Sequence, residues 1–207
     1  MQQREAAYRI DPVLWAKEVL GISPRPWQEK YLRVKRGQDV LVLTARQIGK
    51  TTGAAMAMAH TAIFKPGSVS VVACPAHRQS AELLRKVRDM VLKADAKLKS
   101  DNVYGLELAN GSRVLALPGS EESIRGLTVD GWIVVDEAAY IPDENMIAAL
   151  RPMRAQRPEA RFVMLSTANT RTDPFWSAWE TGGQNWMRIQ VTVDVDPTLY
   201  SHSNEHR

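Results

Sequence analysis

Only one cysteine, Cys74, stands in the 207 residues. A disulfide framework and a cysteine-based zinc site are therefore excluded, and the reducing cytoplasm is the expected compartment. Long apolar runs are also missing. The longest small-and-apolar stretch, Gly53 to Phe64, is interrupted by His60 and falls short of the roughly 20 residues that span a bilayer, so no membrane segment is expected. The opening MQQREAAYRI carries two Arg and a Glu with no apolar core behind them, which is not the pattern of a signal peptide. No internal repeat or low-complexity tract is present. Nor is there a large charge of one sign: 27 Lys+Arg against 23 Asp+Glu leave +4, which permits a polyanionic partner without requiring one. What is there, 44% hydrophobic and 24% charged residues, excludes disorder and fibrous structure. The length fits one domain with a large core, or one domain plus an appendage.

The elements can be read in chain order. Asp11-Pro12 supplies a cap and a first-turn proline for a short amphipathic helix that Gly21 ends. Pro24-Arg25-Pro26 opens a second helix around Trp27 to Val34, and Asp39 to Leu43 reads as a buried strand. A loop follows, then a helix of small residues from Thr51 to about Phe64. Val69 to Ala73 is a further strand, and Gln79 to Leu98 carries a helical apolar stripe with basic residues on its other faces. Leu106 to Ala109 and Ser112 to Leu117 flank Asn110-Gly111, a strong hairpin signal. Trp132 to Val135, Arg161 to Leu165 and an alternating stretch from Trp186 to Val195 complete the strands. Short buried strands alternating with helices predict an α/β domain over residues 1–195, with a mostly parallel central sheet flanked by helices and one antiparallel hairpin. Residues 196–207 read as a polar tail or the start of a linker.

Chemistry concentrates at Thr44-Ala45-Arg46-Gln47-Ile48-Gly49-Lys50-Thr51, directly after a strand and directly before a helix. This is a phosphate loop with one departure: the G-x-x-x-x-G-K-[ST] pattern has glycine where Thr44 stands. Backbone N–H groups and the helix N-terminus would cradle phosphates, Lys50 would reach the β and γ oxygens, and the Thr51 hydroxyl would coordinate Mg²⁺. A surface turn with an incidental Gly-Lys-Thr is the bland reading. Against it stands Trp132 to Glu137, an apolar strand ending in two acids, which a buried strand tolerates only if its tip faces a cavity or a cation. Ligands bind at strand carboxyl ends in such sheets. Either both acids cap the following segment, Ala138 to Ile141, or Asp136 is placed to hold the magnesium shell and Glu137 to orient and deprotonate a water, the reading that the phosphate loop upstream favours.

Other candidates have two readings each. Ser166 and Thr167 end the Arg161 strand, where they either sense a γ-phosphate or cap a turn. Gln28 either pairs with an adenine edge or is simply displayed by an amphipathic helix. Arg125, beside Gly126, is an exposed finger or a solvated loop residue. The basic runs from Arg85 to Lys99 and from Arg151 to Arg161 are solvated faces or contacts to a phosphate backbone.

Taken together, Asp11 to Ala16, Pro26-Trp27-Gln28, Arg46 to Thr51, Asn110-Gly111-Ser112, Ile124-Arg125-Gly126 and Val134 to Ala139 resemble the large terminase subunit of tailed bacteriophages, over about residues 10 to 195. Terminases favour an Arg before Gln-x-Gly-Lys-[ST], which fits Arg46 and the absence of glycine at Thr44. The resemblance implies a P-loop NTPase fold and a Mg²⁺-dependent ATPase that pumps double-stranded viral DNA through a portal into a procapsid. It implies ATP on Arg46, Gln47, Ile48, Gly49, Lys50, Thr51 and Thr52, with Gln28 reading adenine and Ser166 and Thr167 in a coupling motif. Glu137, Lys50 and Arg125 would be catalytic, Arg125 as a finger into a neighbouring subunit, and Thr51 and Asp136 would hold the metal. The implied partners are DNA, the portal and procapsid, the small terminase subunit and further copies in a ring, in the host cytoplasm and docked transiently on the procapsid. The family's nuclease domain has no counterpart here, so DNA cleavage is not expected. A helicase-like or regulatory nucleotide switch that translocates nothing is the alternative.

Overall fold

Strict alternation within the strands divides the interior of the protein into two cores. In the computed structural model, which describes residues 2–117, 127–141 and 144–192, Val40, Val42, Val134, Val163 and Leu165 point to one face of a central sheet. Leu41, Ile133, Val135, Phe162 and Met164 point to the other. Successive side chains on a strand face opposite ways, so a run of uninterrupted apolar residues supplies both faces at once.

The sheet has eight strands: β1 (Asp39–Thr44), β2 (Val69–Ala73), β3 (Leu98–Asn102), β4 (Gly105–Leu108), β5 (Arg113–Ala116), β6 (Trp132–Asp136), β7 (Arg161–Ser166) and β8 (Trp186–Val191). Their spatial order is β3-β4-β5-β2-β6-β7-β1-β8. From β5 to β8 every neighbouring pair is parallel, whereas β3-β4 and β4-β5 are antiparallel. The expected α/β architecture is therefore present. The single expected hairpin is a three-stranded meander, because Leu98, read as the last residue of a helical stripe, begins β3.

Seven α-helices are described: α1 (Gln2–Ile10), α2 (Pro12–Glu18), α3 (Pro26–Leu32), α4 (Lys50–Phe64), α5 (His77–Lys93), α6 (Glu144–Leu150) and α7 (Pro174–Thr181). The Asp11 carboxylate accepts from the Val13 N–H at 2.9 Å, capping α2 as its Asp-Pro sequence predicts. Helix α4 is buried almost all round through its alanines, methionines and Gly53, since it lies in the core that α2, α3 and α5 share with the sheet. Small side chains let those neighbours approach closely; beside Gly53 an added Cβ would lie 3.5 Å from the Trp27 ring. The second core is closed by the 3-10 turn Ala138–Tyr140, α6 and α7. Helices α1, α6 and α7 were not expected from the sequence. The final strand was expected to reach Val195; it is described to Val191, and residues 193–195 lie outside the described residues.

Candidate nucleotide site

Register decides what meets at the carboxyl edge of the sheet. Strand β7 lies between β6 and β1, pairing Leu165 with Asp136 on one side and Ser166 with Leu43 on the other. The loop after β1, the acids at the tip of β6 and the small polar residues at the tip of β7 therefore emerge side by side.

The phosphate loop needs two left-handed residues, and they are Gln47 (φ 60) and Gly49 (φ 85). Thr44 is still in strand β1, paired with Val191, so the missing glycine carries no conformational cost. Ile48 is buried and anchors the loop in the core, while Arg46 and Gln47 are exposed. Arg46 has no hydrogen bond or ion pair among the described residues. Gly49 caps the N-terminus of α4, where free N–H groups and the helix dipole favour an anion.

Two contacts tie this loop to the acid-tipped strand. The Thr51 hydroxyl donates to Asp136 Oδ2 at 3.1 Å, and Lys50 Nζ lies 3.4 Å from Glu137 Oε1. Lys50 and Asp136 are buried. Burial, followed by the neighbouring Glu137 charge, raises the Asp136 carboxyl to about 6, against the pull of Lys50 and of hydrogen bonds from Thr51 and the Glu137 N–H. Glu137 itself is held at φ 53, an uncommon conformation for a residue with a side chain and one that recurs at functional sites. Its Oε2 is buried with no hydrogen-bond partner.

The buried Asp136 carboxylate beside the Thr51 hydroxyl makes a hard-oxygen pair that fits Mg²⁺, and the orphaned Glu137 oxygen is left for a proton or a water. No cluster of three or more His, Cys, Asp or Glu side chains that could cage a metal occurs among the described residues.

The tip of β7 is hooked to the turn that follows the acids. Ser166 Oγ accepts from the Ala139 N–H at 3.2 Å, Thr167 and Tyr140 hydroxyls meet at 3.2 Å, and Asn169 Nδ2 donates to the Ala139 carbonyl at 2.9 Å. The strand end is foreseen in the sequence; Tyr140 is not, because its contribution depends on how far the 3-10 turn folds back.

Gln28 is placed differently from the adenine reading. It is 5% exposed, its Oε1 accepts from the Arg25 N–H at 2.8 Å, and its Nε2 donates to the Gly49 carbonyl at 2.9 Å. Its carboxamide is turned onto the backbone of its own helix start and of the phosphate loop. Thr52 is half-buried on the first turn of α4. Arg125 lies outside the described residues.

The basic runs are largely engaged within the protein. Arg85 pairs with Glu82 and Asp89, Arg88 with Asp101, and Lys99 with Glu107. Arg151 and Arg154 both reach Asp39 and lie over the Phe162 ring.

Residues 41–205 match the family described as terminase large subunit, T4likevirus-type, N-terminal. Among solved structures, the large terminase ATPase domain of Thermus phage P74-26 is 19% identical, with a TM-score of 0.70 over 88% of this chain and 86% of that one. The large terminase of a thermophilic bacteriophage in complex with ADP is 14% identical with a TM-score of 0.62, covering 93% of this chain but 46% of that chain. The N-terminal domain of the DNA-packaging ATPase of bacteriophage phi29 is 18% identical with a TM-score of 0.57, covering 78% and 93%. At these identities the structural likenesses show a shared fold.

Proposed function

The chain belongs to the T4-type large terminase subunit family, through that family's N-terminal region, and from this premise we propose that it is an ATP-hydrolysing motor domain that drives double-stranded viral DNA into a procapsid. The observation that carries the reading is the double junction Lys50–Glu137 and Thr51–Asp136 across the tip of β7. It joins a phosphate cradle to a pair of acids in a partly water-excluded cleft.

Lys50 is held by Glu137 when no nucleotide competes for it. A γ-phosphate offers Lys50 a more highly charged partner, and its arrival releases Glu137 to accept a proton from the attacking water. Thr51 and Asp136 would hold Mg²⁺, which when bound supplies positive charge that draws electron density from the phosphate oxygens. Arg46 and the backbone of Gln47 to Thr52 position the triphosphate, and Gln28 holds that loop in shape. Ser166 and Thr167, hooked to Ala139 and Tyr140, carry the presence or loss of the γ-phosphate to the turn beyond the acids. Arg125 is proposed to complete a neighbouring copy's site. DNA is the proposed cargo; the portal and procapsid, the small terminase subunit and a ring of identical copies are the proposed partners, with the host cytoplasm as the setting.

Glu137→Gln should keep nucleotide binding and lose turnover, whereas Lys50→Ala should lose binding as well, read by fluorescent-nucleotide titration beside phosphate release. Portal-bearing procapsids should stimulate the unmodified chain and, with the assembled motor, protect packaged DNA from nuclease. ATP turnover that never depends on procapsid or DNA would replace the motor with a nucleotide-driven switch.

A further inference from the structure

At the end of the sheet opposite the nucleotide site, a cavity of about 420 Å³ opens beside the first residues of β6 and β7. Arg9 at the end of α1, Arg36 after α3 and Arg161 at the start of β7 line it, together with Lys65 and His60, and no Asp or Glu is among its lining residues. The cations differ in what they have left to offer. Lys65 is already neutralised, with its Nζ 2.7 Å from the Asp130 carboxylate. His60 places Nε2 2.8 Å from the Tyr8 carbonyl, and burial lowers its basicity, so it faces the cavity as a neutral ring.

The three guanidinium groups are not neutralised. Arg9 and Arg36 are exposed and have no hydrogen bond or salt bridge among the described residues. Arg161 is fixed in place, donating from Nε to the Val34 carbonyl at 2.9 Å and lying 4.6 Å over the Trp132 ring. Neither anchor is a carboxylate, so its charge is uncompensated. Burial and then the Arg36 charge lower the Arg161 pKa to about 10, which leaves it cationic at neutral pH and facing a like charge. Three arginines lining one cavity with no acid in its lining suit an oxyanion with several acceptor oxygens, above all phosphate, which takes forked N–H donors in pairs.

We infer that this cavity is a second anion site, separate from the phosphate loop, that takes a phosphate-bearing ligand between Arg9, Arg36 and Arg161. The phosphate comes either from a nucleic-acid backbone or from a small free polyphosphate. The inference does not depend on the motor reading, because it rests on residues at the other end of the strands.

The test uses the full chain carrying Lys50→Ala, which silences the phosphate loop, with and without Arg9→Ala and Arg36→Ala together. Inorganic pyrophosphate is titrated calorimetrically, and a 20-base-pair DNA duplex is followed by fluorescence anisotropy over a salt series. Loss of tenfold or more in pyrophosphate affinity assigns a small-anion site. An equal loss for DNA, with the slope of log affinity against log salt reduced by roughly two, assigns backbone phosphates. Lys86→Ala with Lys93→Ala removes the same charge elsewhere and sets the size of a general charge effect. If the arginine pair changes both affinities less than twofold, or no more than the lysine pair does, the site does not exist. Should the double arginine variant fail to fold, Arg36→Gln alone carries the same comparison.

Discussion

Asp136 offers the most direct measurement of what the nucleotide site costs the empty fold. Its carboxyl is raised from 3.8 to about 6, first by burial and then by Glu137. The unfolded chain therefore gives up this proton near pH 4 and the folded chain near pH 6. Below pH 4 both states hold it, and the neutral buried acid adds no penalty; as pH rises through 6 the folded state must carry a buried charge. At about 1.36 kcal/mol per pKa unit, that withdraws about 3 kcal/mol of stability between pH 4 and pH 8. Asp136→Asn abolishes the ionisation but turns one of the two acceptor oxygens, facing Thr51 or the Glu137 N–H, into a donor, at a cost of about 1 kcal/mol. The variant should thus be about 1 kcal/mol less stable than the parent at pH 4 and about 2 kcal/mol more stable at pH 8. In thermal unfolding of the nucleotide-free protein the latter is a rise in Tm of about 4–8 °C. The two curves should cross between these limits. Parallel curves across the pH range would refute the reasoning, since a plain packing defect has no reason to track one proton.

Gln28→Ala leaves the Arg25 N–H and the Gly49 carbonyl without their side-chain partner, a loss of about 1–3 kcal/mol, or about 5- to 150-fold in affinity if the phosphate loop slackens. Competition titrations should show ATP and GTP weakened alike; a loss confined to ATP would return Gln28 to base reading. For Arg125, specific ATPase activity should rise with protein concentration, and Arg125→Ala should abolish the rise with little change in ATP affinity. Mixing Arg125→Ala with Glu137→Gln should restore hydrolysis, because each copy keeps what the other lacks; co-assembled mixtures that stay inactive would exclude a finger acting between subunits.

The strands and the phosphate loop were legible because each declares itself locally. Asp39 to Leu43 and Trp132 to Val135 are apolar runs with polar ends, and Gly49-Lys50-Thr51 is a short motif in a fixed context. Helix α7 was legible in principle: Asp173-Pro174 repeats the Asp11-Pro12 signal, with the Asp173 carboxylate accepting from the Trp176 N–H at 2.7 Å. Strand β3, LKSDN, is largely exposed at the sheet edge, so it lacks the apolar pattern that marks a strand. Contacts to the backbone at the site were not legible. Gln28 reaches a backbone carbonyl, which leaves no trace in residue type. Likewise the Arg161 side chain reads as one more basic residue in a charged run, although the fold lays it over Trp132.

The edge strand β8 runs parallel to β1 along its whole length, Asp39 facing Trp186 and Thr44 facing Val191, and the Ala45 N–H donates to the Val191 carbonyl at 3.2 Å. The chain thus leaves its last described strand at the level where the phosphate loop begins. Tension applied to the chain beyond Val191, along the strand axis, strains the β1–β8 hydrogen bonds together, in shear, instead of opening them one after another. The same tension reaches Ala45, the first residue past β1 in the phosphate loop, through a single hydrogen bond. Mechanical load on that exit is therefore felt at the phosphate loop, and a force-clamp measurement pulling from residue 192 with ATP present should read it as a change in nucleotide dwell time.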